Sequence, residues 1–235
     1  NPILLRVHGG PGGPAPPVFS RLIGIDLEDI FTVCYWEQRG AGSAYINFGD
    51  QISDSSLTLE QIVDDGLEIA RYLRQTYNKE KIFIEGISWG TTVSAFMVQK
   101  NPELFEAYIG IGQMANQPLS EEISYDFVME EATKNNDTHS IEQLKLIGRP
   151  PYPGKSAREM AEACDIERLI VNKYAPPTRD VFRPVIIKKV LLDKGMTFKE
   201  KILPLIKPIN RNAYHTLWPT CFNVNLIRDV PEWKI

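Results

Sequence analysis

Two rhythms of apolar residues alternate along the first half of the chain. Short, nearly unbroken runs occur at Ile3-Leu4-Leu5-Arg6-Val7, Ile30 to Trp36, Lys81 to Glu85 and Ala107 to Gly112. They read as strands of the kind a parallel sheet buries on both faces. Between them, Leu59, Ile62, Val63, Gly66, Leu67, Ala70 and Leu73 recur at helical spacing behind Thr58-Leu59-Glu60-Gln61, a capping-box pattern. Val93, Phe96, Met97 and Val98 give a second helix running on to Lys100, and Phe19 to Asp29 gives a short helix and turn. The order strand, loop, strand, helix, strand, turn, helix, strand is an alternating α/β unit. The right-handed crossover rule then makes its sheet parallel, with helices on the flanks.

Beyond Gly112 the strand rhythm stops. Helical periodicity covers Glu121 to Lys134, Ser140 to Ile147, Ala157 to Tyr174, Asp180 to Asp193 and Phe198 to Leu205, punctuated by prolines at 150, 151, 153, 176, 177, 204, 208 and 219. The expected division is an α/β core over 1–116, an all-helical lid over 117–220, and a return to the core over 221–235. The sheet is expected to be incomplete.

Composition narrows the partners. The 235 residues are 43% hydrophobic and 24% charged, enough for one large core or a core with a smaller lobe. A formal charge of −4 with no basic run argues against nucleic acid and against an anionic membrane surface. No window approaches the apolar length of a bilayer span, and Asn1-Pro2-Ile3-Leu4 has neither a charged leader nor a cleavage pattern. The reading is a soluble, cytoplasmic protein. Cys34, Cys164 and Cys221 are odd in number and share no C-x-x-C spacing with one another or with the three histidines. Separate reduced thiols are expected, with neither a disulfide framework nor a bound metal.

Chemistry enters at Glu85-Gly86-Ile87-Ser88-Trp89-Gly90-Thr91, a G-x-S-x-G sequence between a strand and a helix. A serine hydroxyl must be held out of both elements to meet a base. Glycines at 86 and 90 permit the sharp turn that leaves Ser88 at its tip, the candidate nucleophile. Upstream, His8-Gly9-Gly10-Pro11-Gly12-Gly13 follows the first strand directly, and its backbone N–H groups are free to face a substrate. The oxyanion donors are expected to be the N–H groups of Gly10 and Trp89. His8 and Gly9 shape the loop, as Gly86 and Gly90 shape the elbow.

These two motifs, with Trp36-Glu37-Gln38-Arg39-Gly40-Ala41-Gly42-Ser43 between them, resemble the prolyl aminopeptidases (proline iminopeptidases) of the α/β-hydrolase fold. The likeness covers residues 3 to 116. The family's middle motif is more usually W-D-Q-R-G-S-G, so Glu37 and Ala41 depart from it, at neither a nucleophile nor an oxyanion donor. The resemblance implies a serine peptidase that releases an amino-terminal residue, proline above all, through an acyl-enzyme. It needs no cofactor and takes a small peptide or amino-acid-derived substrate. It also implies that a lid carboxylate receives the substrate's free amino group. Glu121, Glu122, Asp126, Glu130 and Glu131 are available, though a charge run on a helix is more often a solvated face. Arg39 and Gln38 fit a role in holding neighbouring loops, and Trp36 fits the core.

In this fold the acid and the base follow the serine in the chain. His8 precedes Ser88, His139 sits in a polar stretch, and His215 falls in the lid with no acid-bearing loop before it. The expectation is a fragment that begins after the first strands and ends before the catalytic acid and histidine, with little turnover by itself. Two alternatives share the motifs: an esterase or amidase of the same fold, and a catalytically inert α/β module.

Overall fold

The computed structural model of the chain describes residues 1–13, 27–175 and 211–232, with residues 188, 191–192, 196–199 and 201–202 between them. Strands β1 (Ile3–Val7), β2 (Thr32–Trp36), β3 (Ile82–Ile87) and β4 (Phe105–Ile111) form one parallel sheet in the order β2-β1-β3-β4. The sheet does not close. β1, between two neighbours, is buried at every position. Among the described residues β2 is an edge strand, and it is only half-buried over Thr32 to Tyr35, a correction to the expectation of burial on both faces. It also starts later than its apolar run, because Ile30 ends a helical turn, α1 (Leu27–Ile30), closed by Phe31 N–H donating to Leu27 O at 2.8 Å. Two strands run longer than expected: β3 reaches Ile87 and β4 begins at Phe105, since each borrows register from the other.

α2 (Gly42–Phe48), unassigned from sequence, follows β2. α3 (Leu59–Thr76) turns Ile62, Val63, Gly66, Leu67, Ala70 and Leu73 inward, as its spacing predicts. Half of the expected capping box forms: Thr58 Oγ1 accepts from Gln61 N–H at 3.1 Å, while the Gln61 side chain turns to Asp65 instead of back to the cap. α4 (Trp89–Lys100) is buried along most of its length against the sheet.

After β4 the described elements are helices: α5 (Gln117–Lys134), α6 (Thr138–Ile147), α7 (Ala157–Tyr174), α8 (Arg211–Leu217) and α9 (Leu226–Asp229). α5 starts earlier than its apolar rhythm because Pro118 suits a first turn and Asn116 Oδ1 caps it through Leu119 N–H. Entrance and exit of this helical layer lie side by side. Asn116 bridges Asn225, and Leu226 N–H donates to Ala115 O at 2.7 Å. Val224, Leu226 and Val230 then pack on Ala95 of α4. Most of the expected helices over 180–193, 198–205 and 19–29 falls outside the described residues; residues 188, 191–192, 198–199 and 201–202, which are described, are helical. No helix among the described residues is long and apolar enough to cross a membrane.

One ionic contact sits inside the sheet. β1 and β3 pair in a register that sets Arg6 beside Glu85, and Arg6 Nε lies 2.7 Å from Glu85 Oε1 with both side chains buried. Burial pushes the Glu85 carboxyl up, and Arg6 opposes that rise.

Candidate active site

Ser88 is the single residue between the end of β3 and the start of α4. Its backbone stands at φ 53°, ψ −122°, a conformation that costs a non-glycine residue about 1–3 kcal/mol. The surroundings enforce it. Ser88 N–H donates to Ile111 O at 2.9 Å, and Ser88 O accepts from both Thr91 N–H (2.8 Å) and Thr91 Oγ1 (2.6 Å). Thr91 Oγ1 in turn accepts from Met114 N–H at 3.0 Å, tying the elbow to the exit of β4. The two elbow glycines are needed for space: a Cβ on Gly90 would stand 2.1 Å from Val7 O, and one on Gly86 2.6 Å from Gly90 O. Ser88 is exposed, and among the described residues its hydroxyl has no hydrogen-bond partner. Trp89 N–H, at the first position of α4, lies where no intrahelical carbonyl accepts it.

The glycine loop arrives beside this turn. A Cβ placed on Gly9 would meet Ser88 Cβ at 3.2 Å, so loop and elbow touch. Gly10 follows at φ 128°, open to glycine alone. His8 is buried and spends both ring nitrogens on main chain: Nε2 accepts from Gln38 N–H at 3.1 Å, and Nδ1 lies 2.7 Å from Gly9 O. Since Nε2 accepts, the proton is on Nδ1 and the ring is neutral. Burial pushes its pKa down to about 4, against the hydrogen bond to Gly9, which raises it. The unfolded chain protonates His8 near its ordinary value of 6.5 while the folded chain resists. Stability is therefore unaffected above that value and falls as pH drops from it toward 4, by up to about 3 kcal/mol. Urea melts at pH 7 and pH 4.5, with an imidazole titration by NMR, check this; a His8→Asn variant should flatten that part of the pH dependence.

The middle motif joins the other two. Gln38, almost fully buried, donates from Nε2 to His8 O at 2.9 Å and accepts at Oε1 from Trp89 Nε1–H at 3.0 Å. Arg39 forks onto the Asp65 carboxylate of α3 through Nε and Nη2, both at 2.8 Å. Arg39 is thus held by a helix carboxylate and not by the neighbouring loops. Trp36 is buried. It also edges an open groove of about 590 Å³ with Phe48, Ile52, Ile69 and Tyr72, away from Ser88 and the glycine loop.

The remaining histidines lie in the helical layer. His139 is exposed in the first turn of α6, and His215 on α8 faces Asp165 of α7 with Nε2 at 3.9 Å from Oδ2. Four of the acids named from sequence are surface groups: Glu122 and Asp126 hold Arg149, and Glu130 and Glu131 hold Lys134. Glu121 is different. It is fully buried beside Gln117 Nε2 and Cys164, and it shares Arg168 with a second fully buried carboxylate, Glu167, which also accepts from Ser124 Oγ. Burial pushes the Glu121 carboxyl up while Arg168 opposes it. Sequence reading passed over Glu167, Arg168 and Thr91. The signal for Glu121 was its place on the inward series Gln117, Glu121, Tyr125, Val128 and Ala132. All three cysteines are free thiols, Cys164 and Cys221 buried.

Residues 2–139, more than half of the chain, match the family model described as alpha/beta hydrolase fold. The chain belongs to the α/β-hydrolase family. Within it, the chain is 33% identical over 152 residues to the probable aminopeptidase YbaC of Bacillus subtilis, a match covering 65% of this chain and 46% of that protein. The matched region is therefore less than half of YbaC's length. Among solved structures, the proline iminopeptidase-related protein TTHA1809 from Thermus thermophilus aligns over 95% of this chain and 79% of its own, at 18% identity and a TM-score of 0.48. Potato epoxide hydrolase I aligns over 95% and 69%, at 15% identity and a TM-score of 0.43. As an α/β hydrolase, the chain carries its G-x-S-x-G turn at the carboxyl end of β3, where open α/β sheets bind ligands.

Proposed function

We propose that this α/β hydrolase provides the nucleophile and oxyanion site of a serine aminopeptidase that removes an amino-terminal residue, preferentially proline, through an acyl-enzyme on Ser88. The observation that carries the reading is the backbone of Ser88, a strained non-glycine residue that three hydrogen bonds pin between strand and helix with its hydroxyl exposed. Similarity to a probable aminopeptidase supports the substrate class.

In this mechanism Ser88 Oγ attacks the carbonyl of the amino-terminal residue as a histidine takes its proton. That base is not His8, whose two nitrogens are engaged. The N–H groups of Trp89 and Gly10 hold the oxyanion, each contributing about 3–4 kcal/mol when aligned, and the positive end of α4 adds to them. Collapse expels the shortened peptide as its amine, which receives the proton from the base. Water then cleaves the ester, freeing the amino acid and Ser88. The helical layer acts as a lid. A lid carboxylate is to receive the substrate's amino group; Glu121, fully buried and already paired with Arg168, is not free for that role.

A substrate panel on the full natural polypeptide tests this. Arylamides of proline should show the highest kcat/KM, alanine arylamides less, and short acyl esters without an amino group least. Short esters turning over fastest would replace the aminopeptidase reading with an esterase.

A further inference from the structure

Three segments far apart in sequence meet at one side chain. Gln38 accepts the Trp89 indole N–H, donates to the His8 carbonyl, and through its own main chain donates to His8 Nε2. His8 lies two residues before Gly10, and Trp89 directly follows Ser88. One buried amide therefore ties together the segments that carry both proposed oxyanion donors.

We propose that Gln38 is a positioning residue that fixes the separation and aim of the Gly10 and Trp89 amides around the oxyanion. The proposal rests on the reading of Ser88 as nucleophile. The chemistry of the contacts demands a primary amide. The indole N–H only donates and the His8 carbonyl only accepts, so the bridging group must present one acceptor and one donor on the same short head. Glutamate would keep the first bond and set a carboxylate against the carbonyl. Leucine would leave both the indole N–H and the carbonyl unpaired in a buried place. Gln38 is itself fixed from two sides: its carbonyl accepts from Ala41 N–H at 3.0 Å, and the adjoining Arg39 is forked onto Asp65, which Gln61 Nε2 also holds at 2.9 Å. The bridge is thus anchored to α3, outside both segments it joins. A Gly9 Cβ would come within 3.2 Å of Ser88 Cβ, so a small shift of the glycine loop changes what lies over the serine.

The test uses Gln38→Leu and Gln38→Glu in the full natural polypeptide. kcat is referred to folded protein, and the Trp89 indole N–H is followed by NMR. Misplacing reacting groups by about 1 Å can cost about a hundredfold in rate. Gln38→Leu should therefore lower kcat about 10- to 100-fold, leave KM within about threefold, and shift the indole resonance. Gln38→Glu should keep the indole bond and lose less. A purely structural glutamine would lower the folded fraction and leave kcat per folded molecule unchanged. That result, or a shifted indole with unchanged kcat, overturns the proposal. Ser88→Ala run alongside separates the two claims: activity surviving that change refutes the nucleophile, whatever Gln38 does.

Discussion

Replacing Ser88 with alanine in the full natural polypeptide is expected to lower kcat by about five to six orders of magnitude while KM and the unfolding midpoint stay close to wild type. The size follows from the loss of the acyl-enzyme route, since residues that act as a catalytic unit fail together and leave the modest rate that oxyanion donors and binding supply. Stability should hold because the hydroxyl has no hydrogen-bond partner among the described residues, and the bonds that shape the elbow use the Ser88 main chain. Alanine also keeps a Cβ, so the unfavourable backbone conformation is neither relieved nor worsened. Steady-state kinetics with a proline arylamide, paired with a urea melt, give both numbers. A loss under about tenfold in a folded variant would mean that another group attacks the substrate.

The second large effect is on folding. Glu85→Leu strands the Arg6 guanidinium inside the sheet, and removing one partner of a buried ion pair costs about 3–5 kcal/mol. Arg6→Leu strands the carboxylate and should cost a similar amount. The double variant replaces the pair with two apolar side chains in adjacent strands that are already buried, so it should recover most of the loss. Because the pair is out of water, added salt should change none of the three results much. Glu85 lies three residues before Ser88, so the single variants should also lose activity, and the double variant should regain it. Urea midpoints for the four proteins measure the coupling. A double variant as unstable as the sum of the singles would show that Arg6 and Glu85 act independently.

Much of the elbow was legible because its signals are local. Gly86, Ser88 and Gly90 occupy one turn, and the turn needs those residue types whatever the rest of the chain does. The inward face of α3 was legible for the same reason: its spacing is a property of one helix. Relations across the sheet were not. A continuous apolar run marks a strand but cannot say whether it ends in the centre or at an edge, so β2 and β1 read alike, although only β1 is flanked on both sides. Arg6 and Glu85 each look like a polar interruption until register sets them together. Gln38 leaves no periodic trace, since its partners are 30 and 51 residues away. Glu121 was legible in principle, on the inward series of α5, but it reads as part of the charge run Glu121-Glu122 unless helical phase is weighed above charge.

Acylation of Ser88 is the step on which the proposed aminopeptidase activity depends. Rapid acid quenching of the full natural polypeptide during turnover of an activated proline ester, followed by digestion and mass spectrometry, tests it most directly. A prolyl adduct on the peptide containing Ser88, lost in Ser88→Ala, is the result expected. Full turnover with that peptide unmodified, or with the acyl group on another side chain, would contradict it.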